Sequence, residues 1–137
     1  LCCSILGIEM RIACPIGYEP NSSIIKKAKE INSNSILKIT NNTFEASKGA
    51  NILYTDVWSS MGEEEEKGSK DKIFKGFTLD KDLLSCANEE AIILHCLPAY
   101  RDKEITDEII ESKNSKIFDQ AENRLHVQQA LLSLLLS

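Results

Sequence analysis

The chain has 137 residues and a mass of 15.3 kDa, with 42% hydrophobic and 27% charged residues. This composition is typical of one globular domain with a real core, and it argues against intrinsic disorder. The 16 basic and 21 acidic residues give a net charge of −5. That balance excludes the basic surface with which proteins bind nucleic acid or anionic membranes.

The apolar runs near the two ends are too short to span a bilayer, and Ser133 interrupts the C-terminal one. No basic leader precedes an apolar stretch, so we expect no signal peptide, although a chain that starts at Leu1 is expected to have lost its natural beginning. The five cysteines form no C-x-x-C pair, and there are only two histidines. We therefore expect no disulfide framework and no metal site, but a reduced, cytoplasmic protein.

Five short runs rich in Ile, Leu and Val predict β-strands, at residues 9–14, 36–40, 51–55, 91–95 and 116–118. The later runs show little polar alternation, which is typical of strands that are covered on both faces. No Asn-Gly or Asp-Gly turn joins two of these runs, so hairpins are disfavoured. The pattern predicts parallel pairing.

The intervening segments have helical patterns. Residues 1–6 are helix-like but too short before Gly7 for a crossover helix, so residues are expected to be missing there. Strands that alternate with helices predict a three-layer, Rossmann-like α/β domain with a mainly parallel sheet. The other predicted helices cover residues 20–31, 43–47 (ended by Gly49), 80–87, 104–112 and the segment from about Gln120 to the end.

Ligands of such sheets bind beyond the carboxyl ends of the strands. The third strand is followed by DVWSSMG at 56–62, so Asp56 can present its carboxylate to an amine there. Ser60 and Glu63 have capping-box spacing, and the free N–H groups at Met61 and Gly62 favour an anion. Together they suit an amino-acid zwitterion. A plain helix cap followed by a solvated run of glutamates explains the same spacing, and the spacing alone favours it.

The fourth strand is followed by HCLPA at 95–99. Pro98 moves Leu97 out of the α region, which prevents a helix and leaves backbone carbonyls free to accept hydrogen bonds. The Cys96 thiol is a candidate base or nucleophile if its pKa is lowered, and otherwise a small buried hydrophobe. His95 ends a buried strand, and we expect a core histidine that is bonded to the backbone.

The last helix opens with QAENR at 120–124. Arg124 lies in its first turn, where a guanidinium suits a carbonyl or phosphate oxygen of a ligand. An ion pair of Arg124 with Glu122 or Asp119 is an equally good expectation. His126 is expected to be a surface or packing residue.

These segments resemble the ornithine carbamoyltransferase family. Its D-x-W-x-S-M-G, H-C-L-P and A-E-N-R motifs are matched at 56–62, 95–98 and 121–124, and IGYEP at 16–20 is also typical. Their order and spacing agree over nearly the whole chain. The combination is specific, because the aspartate-using relatives carry proline in place of Cys96 and lack the S-M-G loop.

The resemblance implies that residues 1–137 are the ornithine-binding domain of an enzyme that makes citrulline and phosphate from carbamoyl phosphate and ornithine, without metal or cofactor. An ammonium has no lone pair, so the δ-amine must lose a proton before it attacks, and a thiolate at Cys96, helped by Asp56, is the implied acceptor. The implied contacts to the α-amino and α-carboxylate groups are Asp56, Ser60 and Met61. Those to the δ-amino group and the carbamoyl moiety are Cys96, the Leu97 carbonyl and Arg124.

The family's phosphate-binding S-T-R-T-R and H-P-T-Q motifs belong to an N-terminal domain that this sequence does not contain, and an asparagine that contacts ornithine would precede Leu1. Without those arginines, we expect no catalysis by this chain alone. The resemblance implies a homotrimer for the whole enzyme. It also implies that the last helix packs on the other domain, so the apolar run at 131–136 is expected to promote aggregation or dimerisation here.

Two other classes of protein are weighed against this interpretation. A non-catalytic amino-acid-binding or regulatory module of the same fold is the main alternative. A dinucleotide-binding domain is disfavoured, because PIGY at 15–18 stands where G-x-G-x-x-G would follow the first strand. The choice of ornithine over putrescine rests on the S-M-G loop, since only the α-carboxylate distinguishes them there.

Overall fold

The computed structural model describes residues 1–34, 36–59 and 67–137. The chain divides into two compact units, Leu1–Ser47 and Lys48–Ser137. Each unit contains one pair of parallel strands, together with helices that flank them in sequence. The predicted α/β class with parallel strands is therefore confirmed.

The first unit has one helix on either side of each strand in sequence. β1 and β2 pair in parallel, with Met10 opposite Leu37. Helix α1 ends at Gly7, whose φ of 68° lies in the left-handed region that glycine adopts without a Cβ penalty. Helix α2 begins after Asn21, whose side chain accepts a hydrogen bond from the Ser23 backbone N at 2.8 Å. The elements are α1 (Cys2–Leu6), β1 (Met10–Ala13), α2 (Ser22–Ile31), β2 (Leu37–Thr40) and α3 (Thr43–Ser47).

The second unit carries the candidate site. Strands β3 and β4 pair in parallel, and Thr55 lies opposite His95 at their carboxyl ends. The next residue of each strand is Asp56 or Cys96, so both leave the strand pair at the same edge. The elements are β3 (Ile52–Thr55), α4 (Lys67–Ile73), α5 (Lys81–Cys86), β4 (Ile92–His95), α6 (Asp107–Ile110) and α7 (Ile117–Leu136).

The core of the second unit lies around β4. Ile93 and Ile105 are fully buried, and Ile109 and Ile117 are 1% exposed. Each such side chain contributes about 1.5–3 kcal/mol of transfer free energy. These residues come from β4, from the chain before and within α6, and from the first residue of α7. The core therefore holds the carboxyl end of β4 and the start of α7 in fixed positions.

The fifth predicted strand, at 116–118, is wrong. Helix α7 begins at Ile117, three residues before the predicted start at Gln120. The chain before it makes only a single bridge, in which Ile93 N donates to Asn114 O and Lys116 N donates to Ile93 O, both at 2.9 Å. A three-residue apolar run has no periodicity that separates a strand from the first turn of a helix, and here the buried Ile117 begins the helix.

The predicted helix at 104–112 is shorter than expected, since α6 covers only Asp107–Ile110. Its expected first turn is extended instead: Leu79 N donates to Glu104 O at 2.8 Å, and Thr106 N donates to Leu79 O at 3.1 Å. The helix predicted to begin at Ser60 starts outside the described residues. The predicted helices at 20–31, 43–47 and 80–87 are confirmed to within two residues. Within the described ranges, no helix combines the length and the hydropathy needed to cross a bilayer.

Candidate functional site

The structure brings Asp56 and Cys96 into direct contact. The Cys96 thiol Sγ donates a hydrogen bond to Asp56 Oδ1 at 2.9 Å. The same oxygen accepts a hydrogen bond from Val57 N at 2.7 Å, which fixes the carboxylate at the end of β3. Asp56 is exposed and Cys96 is half-buried. The two strand exits singled out by the sequence therefore form one site.

Burial of the Cys96 thiol raises its pKa, and the hydrogen bond to Asp56 and the charge of that carboxylate raise the pKa further. The Tyr54 hydroxyl acts in the opposite direction and lowers the pKa of this thiol, but by less. The proton of the pair consequently lies on sulfur and the negative charge on the carboxylate. Burial is the largest cause of this raised pKa and the Asp56 carboxylate adds to it, so both favour the thiol over the thiolate that the resemblance implies.

His95 is 1% exposed and supports the turn after β4. Its Nδ1 accepts a hydrogen bond from Leu97 N at 2.8 Å. Since a backbone N–H can only donate, the imidazole hydrogen is on Nε2, which faces Glu104 Oε1 at 3.3 Å. The expectation of a core histidine bonded to the backbone is confirmed.

Glu104 is the buried partner that the sequence analysis missed. Its side chain is 1% exposed, and Oε1 also accepts a hydrogen bond from Tyr100 N at 2.6 Å. Nothing in the sequence separates this acid from Asp102, which is closer to the HCLP turn. Glu104 and His95 together tie the Leu97 and Tyr100 backbone amides to the end of β4.

Leu97 has a φ of 56°, so its backbone lies outside the right-handed α region, as predicted. Its peptide bond to Pro98 is cis. In the part of the chain that the structure describes, no donor is bonded to the Leu97 carbonyl. This carbonyl therefore remains available to an N–H group of a ligand.

Arg124 lines the same open cavity as the thiol. Among the described residues, Arg124 forms no ion pair with Asp119 or Glu122: Asp119 lies 3.6 Å from Lys116, and Glu122 lies 3.3 Å from His126. The expected ion pair of Arg124 with either acid is therefore wrong, whereas the surface position of His126 is confirmed. The cavity has a volume of about 550 Å³, and its lining is Cys96, Leu97, Pro98, Ala121, Arg124, Leu125 and Gln128.

The two remaining predicted ligand contacts, Ser60 and Met61, lie outside the described residues. The chain just before them is anchored, since Trp58 stacks on Phe74 with ring centroids 5.9 Å apart and Ser59 is buried. No cluster of three or more His, Cys, Asp and Glu side chains that would suit a metal ion occurs within the described ranges.

Gln120 and Tyr54 also belong to the site, and the sequence analysis assigned no role to either. Gln120 Oε1 accepts a hydrogen bond from His95 N at 3.0 Å, and Gln120 Nε2 donates to the Tyr54 hydroxyl at 3.4 Å. Burial raises the pKa of Tyr54, and the hydrogen bond from Gln120 partly offsets this. The Tyr54 hydroxyl is therefore protonated, and Gln120 links it to the backbone at the end of β4.

At the carboxyl ends of two parallel strands, the Asp56 carboxylate thus bonds the Cys96 thiol, and Arg124 lines the same cavity as that thiol. Such a set of groups suits a ligand that carries both an amine and a carbonyl or phosphate oxygen. The fold and the site together define a Rossmann-like substrate-binding domain. The chain belongs to the aspartate/ornithine carbamoyltransferase family, because the family profile "Aspartate/ornithine carbamoyltransferase, Asp/Orn binding domain" matches residues 1–135.

The chain is similar to proteins named ornithine carbamoyltransferase. The ornithine carbamoyltransferase of Prochlorococcus marinus subsp. pastoris is 69% identical to this chain over 137 residues. The matched region covers 99% of this chain and 44% of that relative. The solved structure from Pyrococcus furiosus has a TM-score of 0.88 at 43% identity, over 96% of this chain and 42% of that one. The anabolic enzyme from Campylobacter jejuni has a TM-score of 0.87 at 46% identity, over 96% of this chain and 44% of that one.

These neighbours confirm the Rossmann-like α/β fold class and the family resemblance that the motifs indicated. The chain spans less than half the length of each of the three proteins.

Proposed function

We propose that residues 1–137 are the ornithine-binding domain of an ornithine carbamoyltransferase. The whole enzyme would move the carbamoyl group of carbamoyl phosphate to the δ-amino group of ornithine and release citrulline and phosphate. Family membership and the names of the relatives support this function. The observation that carries it is the 2.9 Å contact between Cys96 and Asp56 at the ends of adjacent strands.

We assign the α-amino and α-carboxylate groups of ornithine to Asp56, Ser60 and Met61. The carboxylate of Asp56 is exposed and bears the negative charge of its pair with the thiol, so it attracts an ammonium group. A recognised α-carboxylate would distinguish ornithine from putrescine, which has two amino groups and no carboxylate.

The proton of the δ-ammonium must leave before the nitrogen can attack. We assign it to the Asp56–Cys96 pair, which carries one negative charge and can accept one proton. The freed nitrogen lone pair then forms a bond to the carbamoyl carbon, and the bond from that carbon to the phosphate oxygen breaks. Phosphate leaves with the electron pair of that bond and takes the second proton of the attacking nitrogen, which gives citrulline.

We assign the carbamoyl oxygen, on which negative charge develops during the attack, to Arg124. Arg124 lines the cavity that also contains Cys96 and Leu97, and the Leu97 carbonyl, to which none of the described residues donates, is suited to an N–H of the amine or the carbamoyl group. Phosphate is an activated leaving group, so this reaction requires neither metal nor organic cofactor. We further propose that the whole enzyme is a cytoplasmic homotrimer.

The test is to titrate ornithine into the full-length enzyme, with and without carbamoyl phosphate, and to assay citrulline. We expect ornithine to bind more tightly with carbamoyl phosphate present, putrescine not to compete, and citrulline to form. The variant Cys96→Ala should lose most citrulline formation, and Cys86→Ala, a half-buried cysteine of α5, should keep it. Ornithine binding without citrulline would instead establish a non-catalytic amino-acid-binding module.

A further inference from the structure

Gln120 connects α7 to both strands of the site through one side-chain amide. Its Oε1 accepts a hydrogen bond from the backbone N of His95, at 3.0 Å, beside Cys96. Its Nε2 donates to the hydroxyl of Tyr54, at 3.4 Å, two residues before Asp56. Its own backbone N donates to Lys116 O at 2.8 Å in the first turn of α7. The end of β3, the end of β4 and the start of α7 are thus joined at this residue.

Gln120 Nε2 occupies one acceptor position of the Tyr54 hydroxyl, so the hydrogen of that hydroxyl is left for a different partner. Tyr54 lies in β3, two residues before Asp56, and its hydroxyl lowers the pKa of the Cys96 thiol. Donation to sulfur stabilises the thiolate, whereas the Asp56 carboxylate stabilises the thiol. Cys96 therefore lies between two partners with opposite effects on its proton.

Gln120 also shares a face of α7 with Arg124. Residues four apart on an α-helix are neighbours on its surface. Because Gln120 is bonded to both strands, the face of α7 that it occupies is held at the strand ends, and Arg124 stands one turn further on, at the cavity beside Cys96. The Gln120 side-chain amide thus helps to position both the Cys96 thiol and the Arg124 guanidinium.

We propose that Gln120 is a positioning residue for the transfer reaction, which holds the Tyr54 hydroxyl and the His95 backbone so that the Cys96 thiol and Arg124 face the same cavity. This inference rests on the proposed function for its role in transfer. Gln120 acts through other residues and is not itself assigned a contact with substrate.

The first test measures the protonation of Cys96 in the 137-residue chain, where no substrate is needed. The rate of alkylation by iodoacetamide is followed against pH, and digestion with peptide mass spectrometry resolves Cys96 from the other four cysteines. Gln120→Met removes both polar ends of the amide at similar size. We expect its Cys96 profile to move to higher pH by about half a unit, which slows alkylation below the midpoint about threefold. Gln129→Met, on an exposed part of the same helix, should leave the profile unchanged.

Tyr54→Phe tests the route through the hydroxyl. It should produce the same upward shift as Gln120→Met, and the double variant should show no larger shift, because both changes remove one interaction. Gln120→Glu keeps the acceptor for His95 N and brings a carboxylate that competes for the Tyr54 hydrogen. It should shift the profile at least as far, and it serves as the test should Gln120→Met fail to fold. Unchanged Cys96 profiles in these variants, or shifts that add in the double variant, would overturn the proposal.

The second test uses the full-length enzyme. Gln120→Met should lower kcat at least tenfold, change KM for ornithine by less than threefold, and move the pH dependence of kcat upward. A loss of stability alone would leave the pH dependence where it is in the wild type, and that result would also overturn the proposal. The alkylation profiles stand independently of the citrulline assay, so a failure of the positioning role is distinguishable from a failure of the proposed function.

Discussion

The Cys96 Sγ lies 2.9 Å from Asp56 Oδ1 although the two residues are 40 positions apart in the chain. Their contact follows from the parallel register, in which Thr55 pairs with His95. Each of the two side chains belongs to the first residue after its strand. The site is therefore a direct product of strand pairing, and burial together with the contact to Asp56 raises the pKa of the Cys96 thiol.

Replacement of Asp56 tests that protonation. Asp56 raises the pKa of Cys96, so Asp56→Asn should lower this pKa and move the alkylation profile of Cys96 to lower pH. Peptide-resolved alkylation with iodoacetamide measures the shift. Asp82→Asn, in the exposed first turn of α5, is the control and should change nothing. A profile that stays in place, or moves upward, would show that the carboxylate does not govern this thiol.

Glu104 should matter for stability, because its buried carboxylate is bonded to both His95 and the Tyr100 backbone. Glu104→Ala leaves Tyr100 N and His95 Nε2 without their buried acceptor, and we expect the free energy of unfolding to fall by about 1–3 kcal/mol. Denaturant titration followed by the fluorescence of Trp58, the single tryptophan, measures it. Glu108→Ala, whose side chain forms an exposed ion pair with Lys81, should be nearly neutral. Equal losses in the two variants would contradict this account.

The helix caps of the second unit provide a matched pair. Asp80 Oδ1 accepts a hydrogen bond from Leu83 N at 3.0 Å, whereas the side chain of Thr106 makes no capping bond to α6. Asp80→Ala should therefore cost about 1 kcal/mol of unfolding free energy, and Thr106→Ala clearly less. Denaturant midpoints at constant m-value decide the comparison. A larger loss for Thr106→Ala than for Asp80→Ala would show that the Asp80 capping bond does not stabilise α5.

The 137-residue chain should form no citrulline from carbamoyl phosphate and ornithine. The phosphate-binding arginines that the resemblance assigns to another domain are absent from this sequence, so the developing charge on phosphate has no partner. A colorimetric citrulline assay at millimolar substrate concentrations measures this. Turnover close to that of a full-length relative would refute the prediction, and the same relative provides the positive control.

The second half of α7 should cause the chain to associate. Leu134, Leu135 and Leu136 are at least 71% exposed, and such a continuous apolar surface favours self-association. Leu132→Lys combined with Leu135→Lys should shift the sedimentation profile towards monomer. Ser133→Lys adds a charge on the same helix without removing an apolar side chain, and should have a smaller effect. A wild-type chain that remains monomeric at all concentrations would rule the idea out.

Strand position and parallel pairing could be predicted because apolar runs and the absence of tight turns are local signals. They were enough to place Asp56 and Cys96 at one edge, since the carboxyl ends of parallel strands coincide. Glu104 could not be found in this way. Its burial depends on the turn between Tyr100 and Ile105, the end of which falls within the helix that the pattern predicted at 104–112.

The beginning of α7 shows the same limit. The sequence around Ile117 is compatible both with the middle of a short strand and with the first residue of a helix. Only the burial of Ile117 in the core favours the helix. Gln120 escaped notice for a related reason. Its role depends on hydrogen bonds to His95 and Tyr54, which are 25 and 66 residues away in sequence.

Lys116 donates its backbone N–H to Ile93 O of β4, and α7 begins at the next residue. This bridge therefore fixes the rotation of α7 about its own axis. A helix turns by about 100° per residue. A single amino acid inserted between Ile117 and Gln120 would therefore swing Arg124 about a quarter turn around the helix axis, away from the thiol, while leaving every residue of the motif intact. Spacing in this segment is as much a part of the chemistry as the identity of the side chains.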